Sequence, residues 1–80
     1  KNVHVLYHES TFLEKDKNLC KKTMHSTAKQ AAKIAKLASV EKLILGHFSS
    51  RYRDLNSFIQ EAETVFSSVE LAEDGKIFNF

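Results

Sequence analysis

Eighty residues suffice for one small domain, which on folding buries only about 60% of the surface its unfolded chain exposes. With 42% hydrophobic and 28% charged residues, 12 basic against 10 acidic, the chain is neither a disordered tail nor a polybasic arm. Its longest apolar runs, Val3–Tyr7 and Leu43–Leu45, fall far short of the ~20 residues that span a bilayer, so no membrane association is expected. Cys20 is the single cysteine, which rules out a disulfide framework and fits a reducing compartment such as the cytoplasm. No signal-peptide pattern is visible. The chain opens on Lys1 and runs straight into a strand pattern, as a piece of a longer polypeptide would.

Val3–Tyr7 is almost continuously apolar and predicts a strand buried on both faces. Residues 9–22 carry mixed charge without a clear period and read as a loop. Thr27 and Gln30 form a capping box, with Ser26 as a rival cap, and open a helix over 27–38. Ala28, Ala31, Ala32, Ala35 and Ala38 recur at helical spacing and are joined by Ile34 and Leu37. Lys29, Lys33 and Lys36 occupy the wet face. They continue a basic first half that begins at Lys15, Lys17, Lys21 and Lys22. That half could face a polyanion or simply be solvated.

Leu43–Leu45 lies in a second buried strand, 42–46, stopped by Gly46. Asp54 caps a helix over 54–66, where Leu55, Phe58, Ile59, Ala62, Val65 and Phe66 make the cleanest amphipathic stripe in the chain. Two short strands, 69–72 and 76–80, flank Glu73-Asp74-Gly75, a hairpin-turn signal. The order β-α-β-α-β-β predicts an α/β layer in which 3–7 and 42–46 run parallel and both helices pack on one face.

A right-handed crossover brings the end of strand one, the start of its helix and the end of strand two to one sheet edge. His8, Glu9, His25, His47, Ser49, Ser50 and Arg51 therefore meet where open α/β sheets hold ligands. His4, in mid-strand, reads as structural. As a metal site the set is incomplete, because a catalytic zinc wants three protein ligands and no H-x-H, H-E-x-x-H or C-x-x-C pair occurs. Nothing places Cys20 beside the cluster as a nucleophile. Arg51 would suit a phosphate at a helix start, or a salt bridge to Glu9 or Asp54.

Three local motifs add to this. His8-Glu9-Ser10-Thr11-Phe12 resembles the His-Glu-Ala-Thr motif of the ribonuclease Z family, the tRNA 3′-processing endonucleases. Met24-His25-Ser26-Thr27-Ala28 is similar to its His-Ser-Thr motif. Gly46-His47-Phe48-Ser49-Ser50-Arg51-Tyr52 is similar to its His-Phe-Ser-x-Arg-Tyr motif, and Leu71-Ala72-Glu73-Asp74-Gly75 to its closing segment. The motifs follow in the family's order and span nearly the whole chain. Ser10 departs from the usual Ala.

The resemblance implies the C-terminal part of a metallo-β-lactamase-type αββα sandwich, the 80 residues forming one segment of that domain. The family's His-x-His-x-Asp-His motif is absent here, as is its bridging aspartate. It implies that His47 is a zinc ligand, that His25 is the catalytic acid, and that His8 and Glu9 support the active-site loop. Arg51, with Ser49, would contact phosphate. The implied reaction is zinc-dependent phosphodiester hydrolysis of precursor tRNA, with two zinc ions in a longer, homodimeric protein. The 80 residues alone are expected to hold neither ion and to be inactive. Two alternatives stay open: another hydrolase of the same fold, and a small non-enzymatic RNA-binding α/β module using the lysine face.

Overall fold

The computed structural model describes residues 4–23, 25–72 and 77–78. Strand β1 spans Val5–Glu9, and a 3₁₀ turn at Glu14–Asp16 leads into helix α1 (Lys17–Thr23). Helix α2 (Ala28–Ala38) is followed by strands β2 (Lys42–Gly46) and β3 (Phe48–Ser49). Helix α3 (Asn56–Glu63) and strands β4 (Val69–Leu71) and β5 (Ile77–Phe78) complete the order. β1, β2 and β4 form one parallel sheet with β2 in the centre, registered Val5 to Lys42, Glu9 to Gly46 and Leu45 to Leu71. The parallel pairing of the first two strands is as predicted. So is the common helical layer: α2 lies over β1 and β2, α3 lies against β4, and the two helices pack on each other.

Small side chains bring that layer close. Ala28, Ala31, Ala32 and Ala35 are fully buried and let α2 approach the sheet. The core is completed by Phe12, Leu43, Leu45, Phe48, Phe58 and Ala62, none more than 1% exposed. Helix α2 starts on the predicted capping box. Gln30 N–H donates to Thr27 Oγ1 (3.0 Å) and Thr27 N–H to Gln30 Oε1 (2.9 Å). It ends on Ser39 in the left-handed region (φ 57°), where Val40 N–H reaches back to the Ala35 carbonyl. Thr27→Ala removes this cap and the 2.7 Å bond from Thr27 Oγ1 to Glu14. We expect it to lower unfolding free energy by about 1–2 kcal/mol, with Thr27→Ser recovering most of that in denaturant titrations. Equal stability of Thr27→Ala and the parent would refute the role of the box.

Four features differ from the sequence reading. The 9–22 segment is ordered, holding the 3₁₀ turn and α1. Two helical turns with a buried Cys20 and a half-buried Leu19 are too short to show a period, and tertiary contacts rather than propensity hold them. Among the described residues β1 lies at the sheet edge with helices over one face only, and Val5 and Tyr7 are 49% and 58% exposed. Ile34 and Leu37 lie outside the buried alanine face, Leu37 at 86% exposure. The last two strands do not pair as a hairpin. β4 extends the main sheet beside β2, and β5 runs parallel to β3 in a second, two-stranded sheet. The Glu73-Asp74-Gly75 turn itself lies outside the described residues.

Gly46 ends β2 under the ring of Tyr7: a Cβ there would sit 2.1 Å from the Tyr7 hydroxyl oxygen. Among the described residues no helix is long and apolar enough to cross a membrane.

Candidate functional site

The segment after β1 threads between the end of β2 and the start of α2. On one side Ser10 N–H donates to the Gly46 carbonyl (2.8 Å) and Ser49 N–H to the Thr11 carbonyl (3.0 Å). On the other side Phe12 N–H donates to the Ser26 carbonyl (3.3 Å) and Ala28 N–H to the Phe12 carbonyl (3.0 Å). Residues 10–12 thus stitch the three polar stretches together through the backbone. Ser10 is fully buried, and its hydroxyl donates to the Gly46 carbonyl at 3.3 Å, so the extra oxygen has a partner.

Glu9 is the hub of the side-chain geometry. Its Oε1 accepts from Thr11 N–H (3.1 Å) and from the Thr11 hydroxyl (3.0 Å). Its Oε2 accepts from Ser26 N–H (2.6 Å) and lies 3.6 Å from His25 Nδ1. One carboxylate therefore holds the loop after β1 against the residues that precede α2.

The Thr11 hydroxyl also fixes His47, whose Nδ1 lies 2.9 Å from Oγ1. A hydroxyl has one hydrogen, and a carboxylate only accepts. Since Thr11 donates to Glu9, His47 must carry its proton on Nδ1 and donate it to Thr11. That tautomer places the ring's lone pair on Nε2. His47 itself has φ 61°, an unusual backbone for a non-glycine residue and of the kind that collects at functional sites. The His25 and His47 rings lie 4.9 Å apart between centroids, tilted by 31°.

The donor atoms of Glu9, His25 and His47 all fall within 4.8 Å of one another. Two donors on one tetrahedral zinc stand only about 3.4 Å apart, given Zn–N bonds of ~2.0–2.1 Å. Glu9 already accepts three hydrogen bonds, and the imidazoles of His25 and His47 complete the trio. An imidazole with Nδ1–H held by a neighbour and its lone pair on Nε2 is the usual form of a zinc-bound histidine. Among the described residues, no closed set of zinc ligands accompanies it.

The remaining predicted residues divide. His8 is half-buried, its Nδ1 2.7 Å from the Glu9 carbonyl, and does not join the Glu9–His25–His47 cluster. His4 is exposed and pairs with Glu41, away from the site. Arg51 is exposed, its guanidinium 5.9 Å from the centroid of Phe12, whose ring meets His25 edge-on. Among the described residues it forms no ion pair with Glu9 or Asp54. Ser49 is fully buried, and its hydroxyl accepts Arg51 N–H at 3.3 Å, shaping the turn that carries Arg51.

Sequence reasoning missed several supports. The Tyr52 hydroxyl accepts from Leu13 N–H (3.0 Å) and donates to Asp16 (2.5 Å), tying the third motif to the segment that follows the first. Burial, reinforced by the Asp16 hydrogen bond, pushes the Tyr52 phenol well above its ordinary range, so it stays protonated. Its place in the His-Phe-Ser-x-Arg-Tyr stretch was the available signal. Thr11 carried the same kind of mark, as the threonine of the His8-Glu9-Ser10-Thr11 stretch, whereas Glu14 and Glu61 carried none. Burial, and then the charges of Glu9, Glu14, Asp16 and Glu61, raise the Cys20 thiol, which makes it a poor nucleophile near neutrality.

The architecture is that of part of a metallo-β-lactamase-fold protein. The structure of YhfI from Bacillus subtilis, a protein of that fold, superposes with a TM-score of 0.83 at 28% identity, over 95% of this chain and 31% of that one. Within that fold, the sequence is homologous to a segment of ribonuclease Z. It is 51% identical over 78 residues to ribonuclease Z of Cytophaga hutchinsonii, covering 98% of this chain and 25% of the relative. Against ribonuclease Z of Protochlamydia amoebophila and Chlamydia pneumoniae the identities are 49% and 45% over all 80 residues, each covering 26% of the relative. The chain thus spans about a quarter of the length of these relatives. No protein-family model matches it.

Proposed function

We propose that these 80 residues form one segment of a zinc-dependent endoribonuclease that removes the 3′ trailer of precursor tRNA. The observation that carries the reading is the Glu9 carboxylate, which joins all three motifs in one constellation through Thr11, Ser26 and, by way of the Thr11 hydroxyl, His47. Homology to ribonuclease Z supplies the substrate class. A homodimer of the longer protein and a cytoplasmic location belong to the same reading.

His47 would hold zinc through Nε2, with further ligands from outside these residues; the metal would polarise the phosphoryl group and activate the attacking water. Thr11 keeps the His47 ring in the ligand tautomer. His25 delivers a proton to the departing 3′ oxygen. Its Nδ1 lies 3.6 Å from Glu9 Oε2, so the carboxylate orients the ring. Arg51 neutralises a phosphate, held in place by the Phe12 ring and the Ser49 turn. His8 braces the carbonyl of Glu9 and with it the loop.

This assignment is tested by comparing the 80-residue chain with a longer polypeptide that contains it together with the remaining zinc ligands. The short chain should bind no stoichiometric zinc and leave precursor tRNA intact, because one imidazole cannot hold the ion. The longer one should cut, and a chelator should stop it. Robust zinc-dependent cleavage by the 80 residues alone would overturn the division of ligands.

A further inference from the structure

We infer that Glu61, on α3 and outside all three motifs, is a positioning residue that sets the spacing between the loop carrying Glu9 and Thr11 and the helix start carrying His25. The inference rests on the functional reading above. It begins from the donors at the start of α2. The first N–H groups of a helix have no partner within it and must find one elsewhere. Here Ala28 N–H goes to the Phe12 carbonyl (3.0 Å) and Gln30 N–H to Thr27 Oγ1 (3.0 Å). Lys29 N–H goes to Glu61 Oε2 (3.0 Å).

The same carboxylate reaches a second segment. Glu14 N–H lies 2.9 Å from Glu61 Oε1 and 3.1 Å from Oε2. A cap for α2 alone would need only Lys29. By accepting from Glu14 as well, Glu61 ties the α2 start to the loop end at one fixed separation. Glu14 returns the link, since its Oε2 accepts from the Thr27 hydroxyl (2.7 Å). The Glu9–Ser26 bond of 2.6 Å spans the same two segments on the site side. Glu61 and Glu9 thus brace one gap from its two ends. The helix dipole favours a carboxylate where Glu61 sits, and α2 carries no acidic residue in its own first turn.

The test uses the longer, zinc-loaded polypeptide containing this segment, with variants Glu61→Ala and Glu61→Gln. Turnover at saturating precursor tRNA should fall by roughly 10- to 100-fold in Glu61→Ala, as for other residues that orient catalytic groups. Zinc content and KM should stay within about twofold of the parent. Hydrogen exchange at the Ser26 amide should rise while Leu43 and Leu45 keep their protection. Glu61→Gln, retaining one acceptor oxygen, should recover part of the turnover. Combined with Glu9→Gln, Glu61→Ala should cost little more than Glu9→Gln alone, because both act on one gap.

Unchanged turnover, full additivity, or a loss matched by zinc release and exposed core amides would overturn the inference. If Glu61→Ala does not fold, Glu61→Gln decides: lowered turnover at normal zinc content supports it, and unchanged turnover overturns it. If the parent polypeptide does not cut precursor tRNA, the functional reading fails separately. The positioning role is then decided by Ser26 exchange, which should rise in the variant and overturns the inference if it does not.

Discussion

Replacing His25 by alanine in the longer enzyme is expected to slow single-turnover cleavage by ~10²- to 10⁴-fold with zinc still bound, the range for loss of a general acid. His25 sits just before the start of α2, within 3.6 Å of Glu9, and packs edge-on against Phe12. His47→Ala is expected to behave differently. It removes the Nε2 donor and leaves alanine at a backbone φ of 61°, so zinc should be lost and cleavage with it. His47→Gly would relieve the backbone and still lose the metal. Zinc stoichiometry measured beside the cleavage rate separates the two histidines. If His25→Ala loses zinc as His47→Ala does, His25 is a ligand. If it keeps both zinc and rate, it has no catalytic part.

The largest stability effect is expected at Phe58. Its ring is fully buried and meets Phe48 at 4.8 Å and Tyr52 at 5.0 Å, both edge-to-face. Truncation to alanine should cost about 3–5 kcal/mol. For a domain of this length total stability is on the order of 4–12 kcal/mol, so the variant should be largely or partly unfolded at room temperature. The damage reaches the site, because Tyr52 holds Leu13 and Asp16. Phe58→Leu should retain a cooperative transition at a lower denaturant midpoint. A shift below ~1 kcal/mol in Phe58→Ala would show that the aromatic trio is not the keystone of this layer.

Much of this was legible in the sequence where local chemistry and tertiary structure agree. Thr27 and Gln30 announce the start of α2 because a capping box is a local device. The alanine spacing announces the buried face because close helix packing needs small residues. His25 and His47 could be brought together from topology alone, since a right-handed crossover joins those chain ends. What stayed hidden depends on neighbours distant in sequence. Ile34 and Leu37 fit the apolar pattern, yet α2 turns them away from the sheet. Tyr7 and Val5 look like core, and the described residues cover only one face of their strand. The Asp74-Gly75 signal suggested a hairpin, but Phe48 and Ser49 offered the last strand a different, parallel neighbour. Glu61 falls between motifs, and its reach to Glu14 and Lys29 exists only once α3 has packed.

The most direct measurement of the central claim is the chemical mapping of product ends after the longer polypeptide cuts a precursor tRNA. Attack on phosphorus with His25 protonating the 3′ oxygen leaves a 3′ hydroxyl on the tRNA and a 5′ phosphate on the trailer. Cleavage should fall directly after the discriminator base, and Arg51→Ala should slow it without moving it. A cyclic or 3′ phosphate on the tRNA, or cuts scattered along the trailer, would contradict the account.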